Sequence, residues 1–306
     1  MNTGLRITVP VQITGAMLTD TDVPEADHAA WVSGTPYALG ARVIHQHVIW
    51  ESAQAANTGN DPETSGSAWW LKVSATNRWR LFDLEQVTAT SSPGNIYYEI
   101  EPGAPIDSIH LLGLDNIDYA RVRVYDGATL VFDGGQNAAG LLPIYSDWWT
   151  YCYGPWSMVD QQHYAGLPYI VSPKVRVDFV GTSQSVQVLI LGNDTVFGTE
   201  TGEGVLSGVR IRYDRSSSFS SNEFNIPTMK TSALVATVSF TLQVKSSEVD
   251  NLSDFYKDHG SKVCLFTISD KWRATQVLGV ITAFETLLHG PIYSEFAFEV
   301  RGVPQE

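Results

Sequence analysis

The strongest constraint on this chain is a period-two alternation near its C-terminal end. Leu234, Ala236, Val238, Phe240, Leu242 and Val244 take every second position, with Thr237, Ser239, Thr241, Gln243 and Lys245 between them. Successive side chains of a strand point to opposite faces, so one face enters a core. The other is wet or meets a neighbouring subunit. The same pattern recurs in Ala120, Val122 and Val124 against Arg121 and Arg123. It recurs again in Val175, Val177 and Phe179, in Val186, Val188 and Ile190, in Val209, Ile211 and Tyr213, and in Phe296, Phe298 and Val300. Turn residues punctuate these runs at Pro93-Gly94, Pro102-Gly103, Asp126-Gly127 and Gly134-Gly135. The chain is therefore expected to be mainly β.

One segment breaks the pattern. Over 247–259, Val249, Leu252, Phe255 and Tyr256 form a helical stripe. Ser247 with Asp250 gives a capping-box-like start, and Gly260 gives a stop. Strands are expected on either side, including 262–268, 276–284 and 294–300. No repeat of fixed period and no heptad pattern is present, which argues against a fibre shaft. At about 150 residues per domain, 306 residues suggest two or three domains. The expected division is an N-terminal arm and linker at 1–28, with the arm broken by Pro10 and an acidic stretch around Pro24. A small aromatic β-module at 29–75, a β-sandwich or jelly roll at 76–195, and a C-terminal β-rich domain with one helix at 196–306 follow.

Charge narrows the function classes. A formal net charge of −14 argues against a general nucleic-acid binder, which needs concentrated Lys and Arg, and against docking on anionic lipid. No apolar run reaches the roughly 20 residues needed to span a bilayer. Met1-Asn2-Thr3-Gly4-Leu5-Arg6 lacks the basic-then-apolar layout of a signal peptide. Two cysteines, Cys152 and Cys264, make no disulfide framework and read as free thiols in a reducing cytosol.

The aromatic segment carries Trp31, Thr35-Pro36-Tyr37, Gly40, Val43, Val48, Trp50, Gly59, Pro62, Ser65 and Trp69-Trp70. This order and spacing resembles the small chitin-binding modules of carbohydrate-binding families 5 and 12. The resemblance implies a small β fold with Trp31, Tyr37 and Trp50 in its core. It also implies exposed aromatic faces that stack on sugar rings. The loop Ser52–Asp61 holds no aromatic residue, leaving Tyr37, Trp69 and Trp70 as the candidate sugar platform there, with core packing the favoured role for Tyr37 and for one of the two tryptophans.

The next segment contains Asn77-Arg78-Trp79-Arg80-Leu81-Phe82-Asp83, Ile109-His110-Leu111-Leu112, Val122-Arg123-Val124-Tyr125-Asp126-Gly127 and Asp147-Trp148-Trp149. It resembles a recurring phage-tail arrangement, in which a galactose-binding-like jelly roll follows a chitin-binding-like module. The C-terminal order of strands, one helix and further strands is similar to phage tail or baseplate assembly domains. These resemblances imply a structural protein of a tailed-phage virion, made in the host cytoplasm. Its partners would be other tail or baseplate proteins, further copies of itself, and a host-surface glycan.

Metal and catalytic motifs are sparse. His45-Gln46-His47 would put two imidazoles on one face of a strand, with Glu51 as the nearest acidic partner. A solvated strand edge accounts for the pair without a metal. Asp107, Asp115, Asp118, Asp126 and Asp133 leave room for a structural calcium ion, although no spaced ligand loop is present. No serine-hydrolase elbow, phosphate loop or metalloprotease motif occurs. A glycosidase needs two carboxylates facing one cleft, and nothing singles out such a pair. The reading is therefore not an enzyme and without a cofactor. The densest aromatic cluster is Trp148-Trp149-Thr150-Tyr151, with Tyr153 and Trp156. On a strand, Trp148 and Trp149 would face opposite sides, with one in the core. Trp149 joins Tyr37, Trp69 and Trp70 as a candidate carbohydrate contact.

Overall fold

The expected strands form, and many are longer than the sequence pattern suggests. A computed structural model describes residues 4–143, 147–153, 156–200, 202–206, 208–221, 227–269, 272–288, 290 and 292–305. The chain begins with β1 (Leu5–Pro10) and β2 (Leu18–Thr21), then β3 (Arg42–His45), β4 (Val48–Ser52) and β5 (Trp70–Ala75). The middle region holds β6 (Thr90–Ser92), β7 (Ile96–Ile100), β8 (Ser108–Asp126), β9 (Thr129–Asp133), β10 (Asn137–Ala138) and β11 (Gly140–Pro143). Helix α1 (Trp148–Tyr153), β12 (Trp156–Val159), β13 (Gln161–Ala165) and β14 (Pro173–Phe197) complete it. The last region holds β15 (Gly204–Val205), β16 (Arg210–Ser221), β17 (Pro227–Lys245), α2 (Val249–His259), β18 (Cys264–Thr267), β19 (Gln276–Leu287) and β20 (Tyr293–Gly302).

The architecture is mainly β with one substantial helix. Strands β3, β4 and β5 form a separate three-stranded antiparallel sheet within residues 29–75. Most other strands join one sheet whose main path runs β10-β8-β14-β1-β18-β19-β20-β17-β15. Strands β8 and β14 form its long antiparallel spine, and the register shifts where Gly181 and Ser185 meet Ile117 and Asp115. That irregularity lets one ribbon bend and serve both faces of a core. A Cβ at Gly181 would sit 2.3 Å from the Asn116 carbonyl oxygen, so the bend requires glycine. The alternations at 175–179 and 186–190 thus belong to one 25-residue strand.

Two large cores result. One gathers Ile109, Leu111, Val122, Val124, Val177, Phe179, Tyr98 and their neighbours. The other gathers Leu5, Ile7, Val238, Phe240, Leu242, Phe296 and Phe298 with Leu252 of α2. A third cluster joins Leu112, Val188 and Ile190 to Leu265 and Leu278. The half-strands at 108–112 and 188–191 are therefore buried on both faces, which explains their unbroken apolar runs. At about 1.5–3 kcal/mol per fully buried large aliphatic side chain, these clusters are the main stabilising term.

Four expectations change. The N-terminal segment is not a free arm. Strand β1 lies between β14 and β18, with Leu5 and Ile7 fully buried. The 19–28 stretch is not a loose linker. It starts in β2, buries Val23 in the first core, and ties Glu25 and Asp27 to Thr76 and Asn77. The boundary placed at 195/196 falls inside β14. Helix α2 has its apolar stripe, but a short 3-10 turn (Ser246–Glu248) precedes it, and its N-cap Glu248 makes no side-chain capping bond. Gly260 keeps right-handed helical dihedrals. A Cβ there would meet the Tyr256 carbonyl oxygen at 2.6 Å, so its role is close approach.

Candidate functional site

Of the three rings expected to form a sugar platform in the small module, one is taken into its core. Trp70 is 1% exposed and donates its indole N–H to the Asn60 carbonyl at 3.0 Å, which makes it the module's core. Tyr37 packs edge-on against Trp70, with centroids 5.3 Å apart, and its hydroxyl accepts the Val32 N–H. Trp69 is half-buried. The 52–61 loop is organised by buried Asn57, whose amide donates to Ser52 Oγ and to the Trp69 carbonyl. A fully buried side-chain amide with its partners in place fixes a loop conformation. Asn57 was legible only as one polar residue in a polar loop.

The His45/His47 pair diverges. Gln46 and His47 adopt φ of 48° and 67° and form the two-residue turn between β3 and β4. His47 stacks on Trp79 and reaches Glu25 at 3.0 Å, while His45 lies edge-on to Trp31 and 3.5 Å from Asp61. Glu51 instead pairs with Arg42 at 2.8 Å. The aspartates considered for calcium do not converge either. Asp133 pairs with Arg121, and Asp107 accepts the Asp194 N–H. Among the described residues, the one group of three ligand atoms within 4.8 Å of one another is His110, His163 and Asp194.

Strand register builds this cluster. Cross-strand pairs put His163 opposite His110 and Thr8 opposite Asp194, all on the face that meets the third apolar cluster. His110 is 2% exposed. The Asp194 carboxylate accepts Thr8 Oγ1 at 2.6 Å and Ser108 Oγ at 2.8 Å, and lies 3.4 Å from the Arg6 guanidinium. Thr8 spends its one hydroxyl proton on Asp194. His110 Nε2, 3.0 Å from Thr8 Oγ1, must therefore donate, which assigns its tautomer. Burial pushes the His110 imidazole down to about 4, partly offset by Asp194, so it is neutral near pH 7. Burial alone would raise the Asp194 carboxyl. Contacts from His110, His163, Thr8 and Ser108 outweigh burial and hold it far below the usual carboxylate range.

A divalent cation fits this cluster poorly. The two imidazole rings stack within 9° of parallel, 4.1 Å apart, so their nitrogen lone pairs run side by side and do not converge. Arg6 already neutralises the carboxylate. The arrangement works as a polar clamp across β1, β8, β13 and β14. The sequence offered one trace of it, a histidine inside the apolar run Ile109–Leu112.

The largest cleft near a perturbed carboxyl is lined by Val9, Gln12, Lys72, Asp83, Glu85 and Lys262, with a volume near 450 Å³. Burial raises Asp83 to about 6. Its oxygens accept the Glu85 N–H and the Thr88 hydroxyl, so Asp83 caps its own turn while lining the cleft.

The exposed aromatic residues are elsewhere. Trp148 and Trp149 lie on a helix and not on a strand, so neither is forced into the core. Trp148 is 72% exposed, Trp149 58% and Tyr153 70%. Trp149 and Tyr153, four apart on the helix, lie 4.5 Å apart, and Trp148 meets Trp149 edge-on at 5.9 Å. The helix stands between β11 and β12, which pair as a two-stranded ribbon of their own. Cys152, within the helix, is exposed, Cys264 is buried, and both are free thiols. Comparison with known protein families and with curated proteins finds no match for this chain.

Proposed function

We propose that this protein is a structural component of a tailed-phage virion, in the tail, tail tip or baseplate. In this reading it contributes to host-surface glycan recognition through Trp148, Trp149 and Tyr153. The observation that carries the reading is the three-ring exposed cluster on its own two-stranded ribbon. Large aromatic rings left in water are costly unless they meet a partner, and flat apolar faces suit the C–H faces of sugar rings. The order of modules, with their resemblance to virion parts, supplies the setting. The reading is of a non-enzymatic protein, and it rests on the resemblance and the aromatic cluster. The glycan contact proposed here is Trp149 and its neighbours, because Trp70 is core and Tyr37 packs on it, while Trp69 is half-buried.

A second reading is purely architectural, with the same rings seated against a neighbouring virion protein. Two measurements separate the readings. Mass spectrometry and reconstruction of purified particles should find this chain at fixed stoichiometry, and its absence from virions would sink the virion assignment. Glycan-array binding by the purified protein should be saturable and lost in Trp149→Ala. Retained adsorption of particles carrying Trp148→Ala and Trp149→Ala would favour the architectural reading.

A further inference from the structure

We propose that the seam between the middle and C-terminal regions binds a neutral, hydroxyl-rich ligand, an oligosaccharide of a few rings. Two adjoining hollows, near 420 and 310 Å³, share Asp160, Gln161 and Gln305 and form one cleft. Together they have the size of sites that take small organic ligands. Gly113, Asp115 and Gln187, from β8 and β14, line one end. Tyr213, Ala236 and Gln276, from β16, β17 and β19, line the other.

The lining is selective. Five of the chain's twelve glutamines meet there, at Gln86, Gln161, Gln187, Gln276 and Gln305. A side-chain amide offers two donors and an acceptor in one plane. That suits neighbouring sugar hydroxyls, each of which both donates and accepts. Charge is sparse. Arg273 neutralises Asp160 at 2.6 Å, which leaves Asp115 as the cleft's carboxylate without an ion pair among the described residues. A lone carboxylate accepts hydroxyls and repels phosphate, sulfate and uronic acids. Tyr213 is half in solvent, and its ring gives an apolar face to the C–H side of a sugar.

The amides are held in place but not used up. Gln305 Nε2 donates to Gln86 Oε1 at 2.8 Å, which fixes both side chains. Gln187 lies against Gly113, whose φ is 66°. A Cβ on Gly113 would sit 2.2 Å from Gln187 Oε1, so glycine makes the room. Gln187 and Gln276 make no side-chain hydrogen bond among the described residues, and Gln161 Oε1 is enclosed without a partner there. An enclosed acceptor without a partner is destabilising, and an entering hydroxyl removes that cost.

The cleft shares no residue with α1, so it stands or falls apart from the aromatic-helix reading. The test uses the full chain carrying Trp148→Ala and Trp149→Ala, which silences α1. Neutral tetrasaccharides of glucose, galactose, mannose and N-acetylglucosamine are titrated in by calorimetry, with saturation-transfer NMR. At least one should bind saturably, and oligomers containing glucuronic acid should bind at least tenfold more weakly. Gln187→Leu and Gln276→Leu keep side-chain bulk and remove the amide, and Tyr213→Ala removes an exposed ring. Each should weaken binding tenfold or more with an unchanged melting curve. Bound sugar should raise the melting temperature of the parent and not of these variants. No binding by any of the four sugars, binding that survives all three cleft substitutions, or preference for the acidic oligomers would each overturn the proposal. In the otherwise wild-type chain, binding lost with Trp149→Ala but kept with Gln187→Leu would assign recognition to α1 alone.

Discussion

The clamp around Asp194 and the aromatic helix α1 invert the usual distribution of side chains in opposite ways. The clamp hides a carboxylate, an arginine and two histidines where strands from both large cores meet. The helix displays two tryptophans and a tyrosine to solvent. Buried polar groups are tolerated when their partners are in place, and a satisfied network fixes one arrangement of the strands that supply it. Exposed aromatic rings gain nothing from the fold that carries them. The first arrangement is explained inside the molecule, and for the second we propose a partner outside it.

The largest effect should come from breaking the clamp. Asp194→Ala removes the carboxylate beside Arg6 and the shared acceptor of Thr8 and Ser108. Removing one partner of a buried ionic network typically costs about 3–5 kcal/mol. A urea titration should show this as a lowered midpoint. Asp133→Ala removes the exposed partner of Arg121 and should cost no more than about 1 kcal/mol. Equal costs at the two sites would mean that the clamp is an ordinary surface pair.

The two regions also differ in how far they could be read from sequence. Alternation is a local signal, and it located β17, β20 and the arms of β14 because each strand carries its own period. The clamp draws on residues 6, 8, 108, 110, 163 and 194, brought together by hydrogen bonds across 86, 102 and 186 residues. No local pattern encodes that β1 enters between β14 and β18. The turn at Gln46-His47 escaped because positive φ is usually announced by Gly, Asn or Asp, and neither residue is one of these. In α1, a short aromatic run fits strand or helix equally well, so its period could not decide. The sequence placed one of Trp69 and Trp70 in the core, and packing against Tyr37 and Asn60 shows that Trp70 is the one.

Acid sharpens the contrast at intermediate size. The His110 imidazole is held at about 4, below its ordinary 6.5, so between these values the unfolded chain binds a proton that the folded chain refuses. Stability from this residue is present above pH 6.5 and is lost as pH falls toward 4, by ~2 kcal/mol at pH 5. Asp194 adds a loss only below the ordinary carboxylate range, because its carboxyl is depressed. Asp83 opposes both. Its carboxyl is raised to about 6, so the folded chain takes up a proton between pH 6 and 4 and gains stability as pH falls. Urea midpoints from pH 7 to pH 5 should therefore fall more steeply in Asp83→Asn than in the wild type, and should flatten in His110→Asn. An unchanged slope in both variants would remove the clamp from the acid response.

The smallest expected effect is also the most telling for α1. Trp148→Ala and Trp149→Ala remove large rings that are mostly in solvent, so each should change stability by no more than about 0.5 kcal/mol. Trp70→Ala, by contrast, empties the core of the small module and should cost about 3–5 kcal/mol. Melting curves of the three variants make the comparison with one measurement. If Trp149→Ala destabilised the chain as much as Trp70→Ala, its ring would be serving the fold, and no outside partner would be needed to explain it. If the cost is near zero while binding or adsorption falls, the aromatic helix is a contact surface carried by the β scaffold and not part of what holds it together.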